Sequence, residues 1–157
     1  MQDVAPASSS PLLEMTGISK SFGGVAALRE VVGKTPTVVV FWATYCAPCR
    51  AEVPALNRAV ERWRDRGLRV LGVALETDAA HARDARREWD MRYDVVTIAD
   101  GEEKATDALF PRGLPAAAFV ARGTATLHDQ LLDDETLARM VPPLLEPAKP
   151  AEPSDTR

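Results

Sequence analysis

The chain has 157 residues, 46% of them hydrophobic and 27% charged, with a formal net charge of −4. That length and balance suit one globular domain with a proper core. The negative charge argues against nucleic acid or an anionic membrane surface as a partner. No apolar run approaches the roughly 18 to 20 residues that span a bilayer.

Residues 1–11 are rich in Ser, Pro and Ala and are expected to be flexible. They lack the basic and then apolar layout of a signal peptide. The stretch from Pro6 to Pro11 equally suits a linker left behind a trimmed signal or anchor. Residues 12–146 read as one domain without internal repeats. Residues 147–157 carry no large apolar side chain and read as a flexible tail.

Leu12 to Ser21 can hold a short strand, and Val25 to Val32 has helical apolar spacing, stopped by Gly33. Thr37 to Ala43 is a β-branched and aromatic run that predicts a fully buried strand. Ala47 to Asp65 follows as a long helix with Val53, Leu56, Val60 and Trp63 inward, kinked by Pro54. Leu68 to Leu75 is a second buried strand. Asp78 caps a helix running to about Arg92, and Val95 to Ala99 is a third strand. Glu102 to Leu109 is a short helix or turn. Ala116 to Ala121 and Thr124 to Leu132 form a hairpin about Gly123. Asp134 caps a last helix, Glu135 to Leu145, with Leu137, Met140, Val141, Leu144 and Leu145 inward. The order βαβαβ and then ββα calls for parallel strands with helical crossovers, closed by an antiparallel pair. It is the layout of a thioredoxin-type α/β sandwich, a central mixed sheet with helices on both faces.

Cys46 and Cys49 are the only cysteines, two residues apart at the seam between strand and helix. Such a pair has three common fates: zinc ligand, structural disulfide or redox centre. Zinc needs two more ligands at matching spacing, and His81 and His128 stand alone. A disulfide over so short a loop stabilises little by chain entropy. A helix N-terminus lowers the pKa of the first thiol, and the thiolate is the attacking species in thiol–disulfide exchange. The redox reading is favoured. His81 and His128 are expected at the surface, and Trp63 and Trp89 in helix packing. Arg50 either supports the Cys46 thiolate or lies on an exposed helix face. The scattered Met residues form no copper-binding box.

The stretch Phe41-Trp42-Ala43-Thr44-Tyr45-Cys46-Ala47-Pro48-Cys49-Arg50, followed by Ala51-Glu52-Val53-Pro54, resembles the active-site region of thioredoxin-fold proteins. Among them it is most similar to the TlpA/ResA-like thiol–disulfide oxidoreductases, with FWATWC-x-x-CR-x-E-x-P. Gly113-Leu114-Pro115 is a second match. The resemblance covers roughly residues 36 to 145. It implies an exposed nucleophile at Cys46, a buried resolving thiol at Cys49, and a loop tuned by Pro48. Trp42 would wall the site. Pro115, cis in the family, would present the backbone of Leu114 to an extended substrate and keep metal from the thiols. Pro54 matches the family's helix-kinking proline. Val40 stands where thioredoxin has a buried Asp, so the usual base for Cys49 is missing. Glu76, directly after the second strand, matches a carboxylate of ResA-like members and is the candidate acceptor of the Cys49 proton. Tyr45 replaces a Trp, which bears on partner preference.

The resemblance implies an enzyme that reduces protein disulfides through a Cys46/Cys49 cycle, reset by an upstream electron-donor protein, without a cofactor. A monomer is expected. Family members of this type usually act outside the cytoplasm, in the periplasm. The chain as written would be cytoplasmic if no signal was removed. A peroxiredoxin-like peroxide reductase requires Pro and Thr or Ser where Val39 and Ala43 stand. A copper metallochaperone of related fold usually carries CxxxC and a distant His. An oxidant role depends on the reduction potential, and a DsbA-like helical insertion does not fit easily between Cys49 and Pro115. The N-terminal LLEMTGISKSFGGVAAL also resembles the opening of sugar-importer ATPase subunits. However, Leu28 occupies the first Gly of a phosphate loop ending at Gly33-Lys34-Thr35, so nucleotide binding is not expected.

Overall fold

A computed structural model describes residues 35–76, 78–97 and 112–147. The elements expected at 12–21, 25–32 and 102–109 lie outside these residues, as do the N-terminal segment and most of the tail. Five strands form one sheet in the order β3-β2-β1-β4-β5: β1 Thr37–Trp42, β2 Arg69–Ala74, β3 Asp94–Thr97, β4 Ala116–Ala121 and β5 Thr124–His128. The first three run parallel, and β4 and β5 are antiparallel to their neighbours. The mixed sheet thus has the expected strand directions, with β1 at its centre. Every residue of β1 is buried, as its unbroken Val-Val-Val-Phe-Trp run requires of a central strand.

Successive side chains of β1 alternate between two cores. Val38, Val40 and Trp42 pack with Val53, Leu56, Trp63, Phe119 and Leu137 on one face. Val39 and Phe41 pack with Leu71, Val73, Ala118 and Val120 on the other. The described helices, α1 Ala47–Trp63, α2 Ala79–Glu88, α3 Asp134–Met140 and α4 Pro142–Leu145, contribute to the first face.

Helix α1 buries Val53, Leu56 and Trp63, while Val60 is half-buried. Pro54 lies within it and removes the N–H that would reach the Arg50 carbonyl. The helix ends two residues earlier than expected. A 3₁₀ turn, Arg64–Arg66, and Gly67 at φ +91° lead into β2; glycine adopts that left-handed backbone without a Cβ clash. Asp78 caps α2 as expected, accepting from the N–H groups of Ala80 and His81. This helix stops at Glu88 rather than near Arg92, because Asp90 takes a positive φ of 52°.

Two expectations for the last helix need correction. Its cap is Asp133, whose carboxylate accepts the N–H of Thr136; Asp134 instead takes a two-pronged hydrogen bond from Arg58 at 2.9 and 2.7 Å. The helix also divides at Val141. Pro142 and Pro143 lack the N–H groups to continue it, and they open a separate turn of helix instead.

Candidate active site

Cys46 stands at the N-cap of α1 in extended backbone, and its sulfur accepts the N–H of Cys49 at 3.2 Å. Sequence places it there in two steps. The Cys46 N–H donates to the Ala43 carbonyl at 3.0 Å, turning the chain out of β1. Pro48 then occupies the first helical turn, where a missing N–H costs nothing. The sulfur therefore sits at the head of a 17-residue helix, where unpaired N–H groups and aligned dipoles favour negative charge. Cys46 and Cys49 are joined as a disulfide, with Cα atoms 5.3 Å apart. Cys46 is 6% exposed and Cys49 3%, so the contrast expected between an open and a buried thiol is small in this closed pair. Ala47 and Pro48 are exposed.

The antiparallel pairing of Phe41 with Ala116 carries Pro115 to the end of β1 that leads into Cys46. The Leu114–Pro115 peptide is cis. Leu114 is half-buried and packs against both cores. These two residues, distant in sequence from the cysteines, thus share their end of the sheet.

Trp42 is placed differently from a wall of an open site. It is 2% exposed, and its ring meets that of Trp89 at 5.3 Å and 56°. Arg50 lies over Trp89 at 5.7 Å and pairs with Glu88 at 3.3 Å, which assigns it to the exposed helix face rather than to the disulfide. Tyr45 is 79% exposed and shares a groove of about 470 Å³ with Ala47, Arg50, Glu88 and Trp89. Trp89, expected only in packing, therefore also lines a surface next to the cysteines.

Glu76 is half-buried, and its Oε1 accepts the backbone N–H of Thr44 at 2.6 Å and also the Thr44 hydroxyl. Oε2 is buried and finds no partner among the described residues. Val40 lies in the first core.

A second carboxyl, Glu52, stands in the matched motif but has no role assigned from sequence. Glu52 is 3% exposed, one helical turn beyond Cys49 and so on the same face of α1. Its Oε1 accepts the N–H of Leu132 at 2.7 Å. Burial pushes its pKa up to about 7, against the opposing pull of that N–H. Buried Tyr93 has its pKa raised first by desolvation and then by the Glu52 charge. The available signal was positional: Glu52 falls on the inward stripe of α1, between Cys49 and Leu56, where a carboxyl is otherwise out of place.

His81 is exposed and pairs with Asp78 at 3.6 Å. His128, expected at the surface, is half-buried in β5 and stands edge-on to Phe119 at 6.2 Å. Among the described residues, no three His, Cys, Asp or Glu side chains gather as a metal site would require.

Residues 3–123 match the AhpC/TSA family. A thiol-disulfide oxidoreductase ResA from Bacillus thuringiensis subsp. konkukian is 29% identical over 103 residues, 65% of this chain and 57% of that protein. A thioredoxin from Mycolicibacterium smegmatis is 33% identical over 107 residues, 66% of this chain and 83% of that one. A solved structure described as a thiol:disulfide interchange protein DsbE from Chlorobium tepidum aligns at a TM-score of 0.66 and 22% identity. It covers 76% of this chain and 85% of that one. The chain spans little more than half the length of the ResA protein it matches. The match over most of its length, and the sheet that brings Pro115 to the cysteine end of β1, lead to one assignment: the chain belongs to the AhpC/TSA family and has a thioredoxin-type fold.

Proposed function

We propose that this protein is a thiol–disulfide oxidoreductase that reduces disulfides in partner proteins through Cys46 and Cys49. The observation that carries this reading is the Cys46 sulfur, which caps α1 and is joined to the resolving sulfur one turn away. The names of the ResA, thioredoxin and DsbE relatives support it.

In the reduced protein, the Cys46 thiolate attacks one sulfur of a partner disulfide. A new S–S bond forms, the partner's bond breaks, and the partner's second sulfur leaves as a thiolate. Cys49 then loses its proton and attacks the Cys46 sulfur. The partner departs as a dithiol, and Cys46–Cys49 closes. Two electrons have moved from the pair to the partner, and a donor protein must return them.

Glu52 is the better acceptor for the Cys49 proton. It lies on the same buried helix face, and its pKa near 7 suits proton exchange at neutral pH. Glu76, the acceptor expected from sequence, has Oε1 engaged by Thr44. Pro115 and Leu114 offer backbone to an extended partner chain, with Pro48 and Tyr45 at the exposed rim. Trp42 supports this rim from within the core. Among the described residues, no helix is long and apolar enough to cross a membrane. An extracytoplasmic, periplasmic setting is part of this proposal and rests on the TlpA/ResA resemblance.

The peroxide-reductase alternative is not favoured, because Val39 and Ala43 are buried apolar residues where its motif places Pro and a hydroxyl.

The deciding experiment is trapping. Cys49→Ser should hold a partner on Cys46 as a stable mixed disulfide, released by dithiothreitol, and wild-type protein should catalyse insulin reduction. Equal trapping by Cys46→Ser would overturn the assignment of nucleophile and resolver. No insulin reduction by wild type, with no trapped partner, would remove the reading.

A further inference from the structure

We propose that Glu76 is a positioning residue, holding the turn that presents Cys46 at the head of α1 by taking both hydrogens of Thr44. The inference rests on the redox reading above and adds a role for a residue outside the dithiol chemistry. Residues 43–46 form a single tight turn, closed by the Cys46 N–H on the Ala43 carbonyl. Thr44 is exposed within that turn, so no core packing restrains its side chain. Its two hydrogens converge on one oxygen of a carboxylate 32 residues away, at the end of β2. The base of this arm is itself pinned, because the Leu75 N–H donates to the Trp42 carbonyl at 2.8 Å. The turn is thereby tied at Trp42 by backbone and at Thr44 by side chain. Cys46 follows two residues later, and its sulfur benefits from the helix only while it stays at the cap. A loosened turn lets the sulfur leave that position and so exposes a less acidic thiol.

The direction of the effect separates positioning from plain charge. Removing a nearby negative charge would make a thiol more acidic. Removing the clamp should make it less so.

The test is the pH profile of Cys46 alkylation by iodoacetamide in reduced protein, with Cys49→Ser as background and thermal unfolding of each variant in that background as the fold control. Glu76→Ala should slow alkylation at pH 6 by about tenfold, as a rise of about one unit in thiol pKa does. Glu76→Gln should stay within about twofold of the parent, because its amide oxygen accepts the same two hydrogens. Thr44→Val removes only the hydroxyl and should fall between them. The double variant should be no slower than Glu76→Ala, since both act through one contact. If Glu76→Ala fails to fold, Thr44→Val alone decides. Profiles of Glu76→Ala and Thr44→Val that overlay the parent would overturn the proposal. So would Glu76→Gln moving as far as Glu76→Ala. A parent thiol that titrates like free cysteine would sink the redox reading as well. An acidic parent thiol with unmoved variants sinks only the clamp.

Discussion

The carboxyl of Glu52 receives the backbone N–H of Leu132 at 2.7 Å, across 80 positions of sequence. The contact ties α1 to the segment that enters α3. It also leaves an ionisable group in a nearly dry place, with one donor to offset its burial. A carboxyl so placed keeps its proton to higher pH than an exposed one, and can release or take it near neutrality.

The first expected consequence is kinetic. Glu52→Gln keeps the size of the side chain and loses its basicity. If Glu52 takes the Cys49 proton, resolution of the mixed disulfide at pH 7 should slow on the order of 100-fold, as loss of a general base commonly does. Attack by Cys46 should change far less, so mixed disulfide should accumulate in a rapid-quench experiment with a fluorescent disulfide peptide. Unaltered resolution would point to another base.

Glu52 should also shape stability against pH. The folded carboxyl ionises near 7 and the unfolded one near 4.5. Below 4.5 both states are protonated and its contribution is whole. Between 4.5 and 7 the unfolded chain gains by ionising while the folded one cannot, so stability falls as pH rises. At about 1.4 kcal/mol per pKa unit, the loss is on the order of 3 kcal/mol. Urea titrations of the oxidised protein at pH 4.5 and 7.5 should show the decline, and Glu52→Gln should flatten it. An equal slope in both proteins would assign it elsewhere.

Gly72 should tolerate no side chain. It lies in β2 between Val40 and Val95, and an added Cβ would come within 3.0 Å of Trp42 Nε1, 3.1 Å of Tyr93 and 3.2 Å of Val95. Those neighbours are buried or part-buried rings and a strand residue that cannot all retreat. Gly72→Ala should cost about 1–3 kcal/mol as overpacking. It should also perturb the fluorescence of the Trp42–Trp89 pair. A midpoint within error of wild type would mean that the rings move aside freely.

The two aspartates before α3 should differ in kind. Asp133→Ala removes the acceptor for the Thr136 N–H and should lower the melting temperature. Asp134→Ala leaves the cap whole and loses only an exposed pair with Arg58, so it should shift the melting temperature less. Reversed effects would restore the helix start read from sequence.

Much of this architecture was legible in local patterns. The Val-Val-Val-Phe-Trp run announced a central strand. The spacing of Val53, Leu56 and Trp63 announced the helix behind the cysteines, and Gly113-Leu114-Pro115 before an apolar strand marked the cis peptide that the sheet brings to the cysteine end of β1. Helix ends were less legible. Asp133 and Asp134 are equally good caps by composition, and backbone geometry chooses between them. The break at Val141 comes from the Pro142-Pro143 pair interrupting an otherwise periodic stripe.

By itself the sequence determined that a paired thiol would sit between a buried strand and a helix N-terminus, because chain adjacency and local propensity suffice for that. Only the tertiary structure decided how the two nearby carboxyls differ. Glu52 and Glu76 are alike as residues. Burial beside the Leu132 N–H separates the first from water, and Thr44 engages one oxygen of the second. Solvation and hydrogen-bond partners depend on neighbours 80 and 32 positions away, and no local pattern encodes them.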